Sequence, residues 1–417
     1  MRLVAITCSR YRAFREKIRI ELPPIVLIIG KNGSGKSVIT RLPLLIAQSV
    51  SATAEGPIDL SAGGVQHSSS FIDLINGRSA LPFSLGAEVA DGTRSYSFET
   101  SLTHVNETKS LVIDSFKLLR NSELLLSVEL EDPSQLVSQS PQYRISHNNT
   151  GTTAPVEFTG LLPKLDTIFE TTNEELVEAY RAIRVACPPP SYLGPFRQEP
   201  SQGMRMPNQN IRSLGPRGEF ALELLADDRL RHGGKLSQQV GNWFGEKLGQ
   251  ELSVDVTGDQ PRVRVQSSAG IELGLADTGA GFSQCIPIVV QNLAYREGRI
   301  SSPILIVEQP ELHLHPAAHG ALADLIVESS VLGDGTPRAT SIVETHSEQL
   351  IMRIRRRIAE RKIDRAVTLL SVGHREPGAD SIEPIRAIKF DEEGNPDAWP
   401  EGVFEETFKD LAAIHSL

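Results

Sequence analysis

The chain has 417 residues, a hydrophobic content of 40% and a formal net charge of −10. This length and composition are typical of a globular protein with on the order of two or three domains, and the negative charge argues against non-specific nucleic-acid binding by the whole surface. No apolar run approaches the roughly 18 residues of a membrane span, and the N-terminus lacks the apolar core of a signal peptide. We therefore expect a cytoplasmic protein without a membrane partner. Its scattered cysteines, expected to be reduced core residues, are Cys8, Cys187 and Cys285.

Near the N-terminus, the glycine-rich stretch GKNGSGKS follows the apolar run IVLIIG. It matches the pattern G-x-x-x-x-G-K-[ST], in which backbone N–H groups surround phosphates, the lysine reaches the β- and γ-phosphates and the hydroxyl holds Mg²⁺. The run at 25–29 predicts a buried strand, and the residues at 38–50 predict a helix that Pro43 should kink. The sequence therefore predicts a site for ATP and Mg²⁺. The residues expected to bind the nucleotide are Gly30, Lys31, Asn32, Gly33, Ser34, Gly35, Lys36 and Ser37.

The middle of the chain has a different sequence pattern. Residues 84–147 contain strand-like runs separated by polar turns, which predict an antiparallel meander. Residues 165–187 predict a helix, with Leu165, Ile168 and Leu176 on its apolar face. After a Pro/Gly-rich loop at 191–210, two further helices are expected at 218–230 and 235–249, followed by strands.

From residue 271 onward the pattern alternates between strands and helices, as in a parallel α/β sheet. One buried strand ends at Glu308, where a carboxylate can hold Mg²⁺ beside a phosphate loop. The strand at 341–343 leads to His346, which can contact a γ-phosphate. A second Gly/Ser segment, with Gly281, Ser283 and Gln284, predicts another anion-binding loop at the start of a helix.

These motifs together resemble those of the ABC-type ATPases, in the branch that includes SMC-like heads and the OLD family. The resemblance implies that Glu308 is the Walker B carboxylate, that His346 is the switch histidine, and that Ser283 belongs to a signature loop. Such a loop binds the γ-phosphate of ATP held by a neighbouring subunit, so ATP would join two or more copies of the chain.

The resemblance implies an α/β fold, an ABC-type P-loop NTPase head with an antiparallel β subdomain and an inserted helical lobe. The core would comprise residues 1–50 and 271–372. Residues 51–270 would form the inserted sheet and helical region, and residues 373–417 a small C-terminal domain.

The stretches YLGPFRQEP, GPRGE, PELHLHP and DEEGNPDAWPEGVFEE look like those of bacterial ATPases from anti-phage defence modules. That resemblance implies a separate effector, a nuclease or toxin, controlled by this chain. We expect no Toprim nuclease domain of the OLD type, because few residues follow Leu370 in this sequence. The alternative is an SMC-like DNA-binding repair or clamp ATPase, although the absence of a sustained heptad pattern counts against coiled-coil arms.

One departure from the ABC pattern concerns catalysis. The position after the Walker B acid usually carries a glutamate that activates water, and here it is Gln309, whose amide cannot accept that proton. One interpretation is therefore a slow ATPase. The other is that Glu311 supplies the base and turnover is normal.

Four further features leave alternatives open. The residues His313, His315 and His319 could ligate a metal or pack at a subunit interface. The basic segment at 351–365 could bind nucleic acid, although a solvated helix face is favoured. Arg197 could be an arginine finger, a partner contact or a buried structural residue. For DEEGNPD, a hairpin turn is favoured over a calcium loop.

Overall fold

The computed structural model describes residues 1–138, 140–148, 150–199, 211–257, 260–267, 270–275, 278–363, 366–374 and 383–399. The loop at 200–210 lies outside the described residues. So do residues 400–406, the second part of the DEEGNPDAWPEGVFEE stretch. In chain order the strands are β1 Arg2–Ser9, β2 Ile18–Glu21, β3 Ile25–Gly30, β4 Phe83–Ala90, β5 Ser95–Val105, β6 Ser110–Arg120, β7 Glu123–Leu130, β8 Gln142–His147, β9 Thr150–Pro155, β10 Phe158–Thr159, β11 Leu162–Pro163, β12 Ser191–Leu193, β13 Gln250–Thr257, β14 Gln260–Ser267, β15 Glu272–Gly274, β16 Ile304–Glu308, β17 Thr340–Glu344, β18 Val367–His374 and β19 Glu383–Ile388.

The α-helices are α1 Lys36–Ser49, α2 Glu174–Ala186, α3 Ala221–Arg231, α4 Lys235–Leu248, α5 Ala280–Arg296, α6 Pro316–Ser330 and α7 Glu348–Ala359. Short 3₁₀ helices lie at Ala62–Gly64, Phe71–Leu74, Asn76–Arg78, Pro133–Val137 and Leu165–Thr167. Among the described residues, no helix is long and apolar enough to cross a membrane.

The chain divides into two compact units. The first comprises Met1–Leu22 and Arg41–Pro189, and the second comprises Pro23–Thr40 and Pro190–Leu417. The division differs from the domain boundaries expected at 50, 270 and 372, because the first strands belong with the middle of the chain. The three cysteines are free and buried, as expected from their spacing.

The first unit contains an eight-stranded antiparallel sheet in the order β2-β1-β4-β5-β6-β7-β8-β9. Along β5, buried and less buried residues alternate, so that Tyr96, Phe98, Thr100 and Leu102 point into the core. The predicted meander is therefore confirmed.

Helix α2 of the first unit is shorter than predicted. It begins at Glu174 because the side chain of Asn173 accepts a hydrogen bond from the Leu176 N–H and caps the helix. The prediction of a helix from residue 165 was wrong for residues 165–173, where only the 3₁₀ turn at Leu165–Thr167 precedes the cap.

The second unit is built on a six-stranded sheet in the order β12-β16-β17-β3-β18-β19. Strands β12, β16, β17, β3 and β18 pair in parallel, and β19 pairs antiparallel with β18. The predicted α/β fold is confirmed. Because β17 lies between β16 and β3, the carboxyl ends of these three strands meet at one edge, the usual location of a ligand site in such sheets.

Helices α3 and α4, expected as an inserted lobe, contribute to the core of this second unit. Their buried side chains, among them Leu224, Leu236 and Phe244, belong to the same apolar cluster as Ile25 and Leu27 of β3. The small antiparallel sheet β13-β14-β15 packs against α4. A helical lobe with a core of its own is therefore not confirmed.

Candidate functional site

The glycine-rich loop at 30–37, predicted to bind phosphate, lies between β3 and α1. All six residues of β3 are buried, and helix α1 begins at Lys36 and continues through Pro43 to Ser49. Gly30, Gly33 and Gly35 have φ angles of 145°, 78° and 105°, which residues with a Cβ rarely adopt. A Cβ on Gly30 would also lie 2.4 Å from the carbonyl oxygen of Val372 in β18. Glycine is therefore required there by both conformation and packing.

Lys36 is held over the loop by main-chain oxygens. Its ammonium donates hydrogen bonds to the carbonyls of Gly30 and Lys31, both at 2.9 Å. Burial lowers the pKa of Lys36, and the negative charge of Glu344 opposes that shift. Loop residue Ser34 has a buried hydroxyl with no hydrogen-bond partner among the described residues. An ammonium and a spare hydroxyl on one loop fit a phosphate ligand.

The carboxylate that faces Ser37 is Glu344, at the end of β17. Its Oε2 accepts hydrogen bonds from the Ser37 hydroxyl at 2.9 Å and from the Thr40 hydroxyl at 3.2 Å. Burial raises the pKa of Glu344, and the charge of Glu308 raises it further. The sequence reasoning did not identify Glu344. A local signal was present, since this glutamate ends a short apolar run that leads to the predicted His346, in IVETHS.

Glu308 lies at the end of β16, where it was predicted, and it is 1% exposed. It is paired with Glu344 in the register of the two parallel strands. Its Oε1 accepts a hydrogen bond of 2.7 Å from the hydroxyl of Tyr192 in β12, another residue that the sequence reasoning missed. Two buried carboxylates beside a hydroxyl fit Mg²⁺, which uses one or two carboxylates together with phosphate oxygens.

Gln309 and Glu311 follow β16 in a turn. Gln309 has a φ of 47°, and its N–H donates to the carbonyl of Glu344 at 2.7 Å. The carboxylate of Glu311 accepts one hydrogen bond from the Thr345 hydroxyl at 2.9 Å and another from the His346 N–H at 2.6 Å. Both oxygens of Glu311 therefore anchor the turn after β17, whereas the Gln309 side chain is half-buried.

His346, the predicted switch histidine, lies at the carboxyl edge of the sheet with part of its surface exposed to solvent. Partial desolvation of its ring lowers the pKa of His346, and the positive charge of Lys36 lowers it further. A neutral imidazole near the phosphate loop can donate one hydrogen bond and accept another.

Arg197 is buried, and its described side-chain hydrogen bonds go to main-chain carbonyl oxygens. Its Nη2 donates to the carbonyl oxygens of Glu308 at 2.7 Å and Gln309 at 3.2 Å. Burial lowers the pKa of Arg197 to about 10. Nε and Nη1 have no partner within the described part of the chain. This residue therefore holds the end of β16 in place.

The predicted signature segment forms the first turns of α5, which begins at Ala280. The Gln284 amide accepts from the Arg197 N–H at 3.2 Å and donates to the Arg197 carbonyl at 3.1 Å, so this side chain is bonded within the subunit. Ser283 lines a small depression that also contains Glu219 and Glu223. Contact of Gly281, Ser283 and Gln284 with ATP remains a prediction.

The histidines after β16 have structural partners. His315 caps α6 by accepting from the Ala317 N–H, while the ring nitrogens of His319 contact the Ser347 hydroxyl and the Leu314 carbonyl. No cluster of three or more His, Cys, Asp or Glu side chains suited to a metal ion occurs within the described ranges. These contacts favour packing over metal ligation.

Three of the four arginines of α7 form ion pairs: Arg353 and Arg357 contact Asp324 of α6, and Arg356 contacts Glu360. The fourth, Arg355, donates a hydrogen bond to the carbonyl of Gly394. The expected apolar stripe, Ile351, Ile354 and Ile358, is buried. These contacts favour a structural helix over a nucleic-acid surface. The DEEGNPD stretch forms the expected turn, in which Asp391 accepts from the Asn395 N–H.

No protein-family model and no curated protein matches the chain. Among solved structures, it is similar to the SMC head domain from Thermotoga maritima, with 11% identity over 93% of this chain and 100% of that chain and a TM-score of 0.42. It is also similar to an SMC head bound to the C-winged helix domain of ScpA, with 12% identity over 94% of this chain and 98% of that chain and a TM-score of 0.47.

A third similar structure is the Pyrococcus furiosus SMC head domain with an extended coiled coil, bound to the C-terminal domain of ScpA. It has 11% identity, coverage of 99% of both chains and a TM-score of 0.43. Each TM-score lies below 0.5, so these similarities do not establish the function of this chain.

Proposed function

We propose that this protein is an ABC-type ATPase that binds ATP with Mg²⁺ in the loop at 30–37 and hydrolyses it slowly. The observation that carries the proposal is the hydrogen bond between the Ser37 hydroxyl and the buried Glu344 carboxylate, directly beside a glycine-rich loop that holds the Lys36 ammonium. A cation-binding hydroxyl next to buried carboxylates and a phosphate-binding lysine is the arrangement that a Mg²⁺–nucleotide needs.

Each group has a distinct task in this proposal. The loop N–H groups and Lys36 bind the phosphates, and His346 contacts the terminal phosphate from the neighbouring strand. Ser37 with a carboxylate at the edge formed by the ends of β16 and β17 would hold Mg²⁺, which neutralises phosphate charge when it is bound. Gln309 orients water without accepting its proton, so turnover is slow.

Assembly of two or more copies through ATP rests on the second Gly/Ser segment. Ser283 lies in the first turns of α5, and a helix N-terminus favours a negatively charged ligand. Glu219 and Glu223 make the adjoining depression unfavourable for phosphate, so the contact depends on the helix N-terminus. In this proposal, the Ser283 segment of one copy closes over the nucleotide held by the other.

The biological role that we propose is control of a separate nuclease or toxin in anti-phage defence. It is supported by the sequence stretches that resemble such ATPases. The alternative is an SMC-like DNA clamp. Against it, the described residues between Ser37 and Gly279 contain strands and helices of at most 14 residues, and these helices are too short for a coiled-coil arm.

A Lys36→Ala variant tests the nucleotide part of the proposal. Wild-type protein should bind a fluorescent ATP analogue in Mg²⁺ and increase in mass in light scattering, while Lys36→Ala should do neither. The control is Lys247→Ala, which removes an exposed lysine from α4. Undiminished assembly of Lys36→Ala would refute the role given to ATP.

A pull-down of tagged protein from the native host tests the effector part, with bound protein and nucleic acid both identified. A nuclease or toxin recovered in fixed ratio with the wild type, and lost with Lys36→Ala, is expected. Recovery of DNA or RNA without such a protein would support the clamp alternative.

A further inference from the structure

Two carboxylates at the carboxyl edge of the sheet, Glu308 and Glu344, are candidate ligands for the metal ion. Glu308 occupies the sequence position expected for it, and Glu344 ends the adjacent strand. The strand order places β17 next to β3, whereas β16 is one strand further away. Because neighbouring strands are about 4.8 Å apart, Glu344 starts closer to the phosphate loop than Glu308 does.

The hydrogen bonds separate the two glutamates in the same way. Glu344 receives the hydroxyl hydrogens of Ser37 and Thr40, which lie on one face of the first turn of α1. Glu308 instead receives the hydroxyl hydrogen of Tyr192 from the opposite side, where β12 lies. The carboxylate that contacts the predicted metal-binding hydroxyl is therefore Glu344.

We infer that Glu344 is the principal carboxylate of the Mg²⁺ site and fixes the Ser37 hydroxyl toward the metal, while Glu308 is a positioning residue held by Tyr192. This inference rests on the proposed ATP site. When Ser37 donates its hydrogen to Glu344, its oxygen lone pairs remain available for a cation.

A second consequence concerns charge. Glu344 and Glu308 are 3% and 1% exposed and lie in paired positions of adjacent strands. Without a cation, two buried carboxylates repel a triphosphate held on the neighbouring loop. Nucleotide binding should therefore depend strongly on a divalent cation, and removal of the Glu344 charge should weaken that dependence.

The test uses the full-length protein and Mn²⁺ as a paramagnetic substitute for Mg²⁺. Free Mn²⁺ is measured by electron paramagnetic resonance during titration in the presence of a non-hydrolysable ATP analogue. Glu344→Gln should lower the Mn²⁺ affinity by about 10–100-fold, the range seen when groups that support a metal site are removed. The matched variant Glu308→Gln should lower the Mn²⁺ affinity by a smaller factor than Glu344→Gln does. The inference would be overturned if Glu308→Gln lost more Mn²⁺ affinity than Glu344→Gln, or if Glu344→Gln bound Mn²⁺ as tightly as the wild type.

A second measurement distinguishes metal binding from loop structure. In EDTA, Glu344→Gln should bind the fluorescent analogue at least as tightly as the wild type, because its amide oxygen can still accept from Ser37 and Thr40. Loss of this metal-free binding would also overturn the inference, since Glu344 would then shape the loop. If the wild type itself binds no nucleotide with Mn²⁺, the proposed ATP site fails, which is a separate result.

Discussion

Gly281, in the first turn of α5, lies directly against the main-chain carbonyl of His313 in the turn that follows β16. A Cβ added to Gly281 would be 2.3 Å from that oxygen and 3.1 Å from its carbon. His313 has a φ of 64°, so this turn is already in a sparsely populated conformation. The predicted signature segment and the turn after β16 are therefore packed so closely that only a glycine fits at position 281.

Substitution Gly281→Ala should destabilise the second unit, because the clash is with main chain and cannot be relieved by rotation of a side chain. Overpacking of this kind typically costs about 1–3 kcal/mol. Thermal unfolding measures the effect. Gly279→Ala is the matched control, since a Cβ there meets nothing within 4 Å and the φ of −57° suits alanine. Equal melting temperatures for the two variants would contradict the packing argument.

Substitution Gln309→Glu should accelerate ATP hydrolysis. A carboxylate at this half-buried position can take a proton from water, and a general base typically contributes about 10²–10⁴-fold. Steady-state phosphate release measures the rate, with Gln309→Asn as the control that adds no base. The opposing interpretation assigns the base to Glu311, whose oxygens already accept from Thr345 and His346. An unchanged or lower rate in Gln309→Glu would favour that interpretation.

Glu344 should make the nucleotide-free protein less stable as pH rises. Burial raises the pKa of its carboxyl above the unfolded value of about 4.3. The folded state then binds more protons, so the stabilising contribution is present below pH of about 4.3 and is lost as pH rises through the folded pKa. The melting temperature of Glu344→Gln relative to wild type should therefore increase from pH 5 towards pH 8. A deficit that is constant across this range would indicate a purely structural role.

The parts of the site that the sequence predicted correctly are local. The run IVLIIG and the glycine pattern after it lie within a few residues of each other, so they identify β3, the loop and the start of α1 together. Strand-like runs separated by polar turns likewise predicted the strands from β5 to β8. Even the error at the start of α2 was local, because the capping signal of Asn173 was overlooked.

The parts that were missed depend on which strands become neighbours. Glu344 faces Ser37 because β17 inserts between β16 and β3, a long-range result that no local pattern specifies. Tyr192 reaches Glu308 for the same reason, since β12 pairs with β16 across more than a hundred residues of chain. Sequence position alone favoured Glu308 as the metal ligand, whereas the strand order favours Glu344.

Arg197 connects the loop after β12 with the end of β16, and its removal should affect both stability and turnover. Substitution Arg197→Met would leave the carbonyl oxygens of Glu308 and Gln309 without its donor, and an unsatisfied buried group costs about 1–3 kcal/mol. Part of that cost is offset, because a buried charge with two unpartnered nitrogens in the described structure is removed as well.

The neighbouring Phe196 provides the matched control. Its side chain is 77% exposed, so Phe196→Ala should change stability by less than about 0.5 kcal/mol. The melting temperature and the rate of ATP turnover should both decrease in Arg197→Met and remain near wild type in Phe196→Ala. The opposing outcome is that Arg197→Met keeps the wild-type melting temperature and loses ATP-driven assembly. That result would place Arg197 at a partner surface and contradict a structural role in holding Gln309.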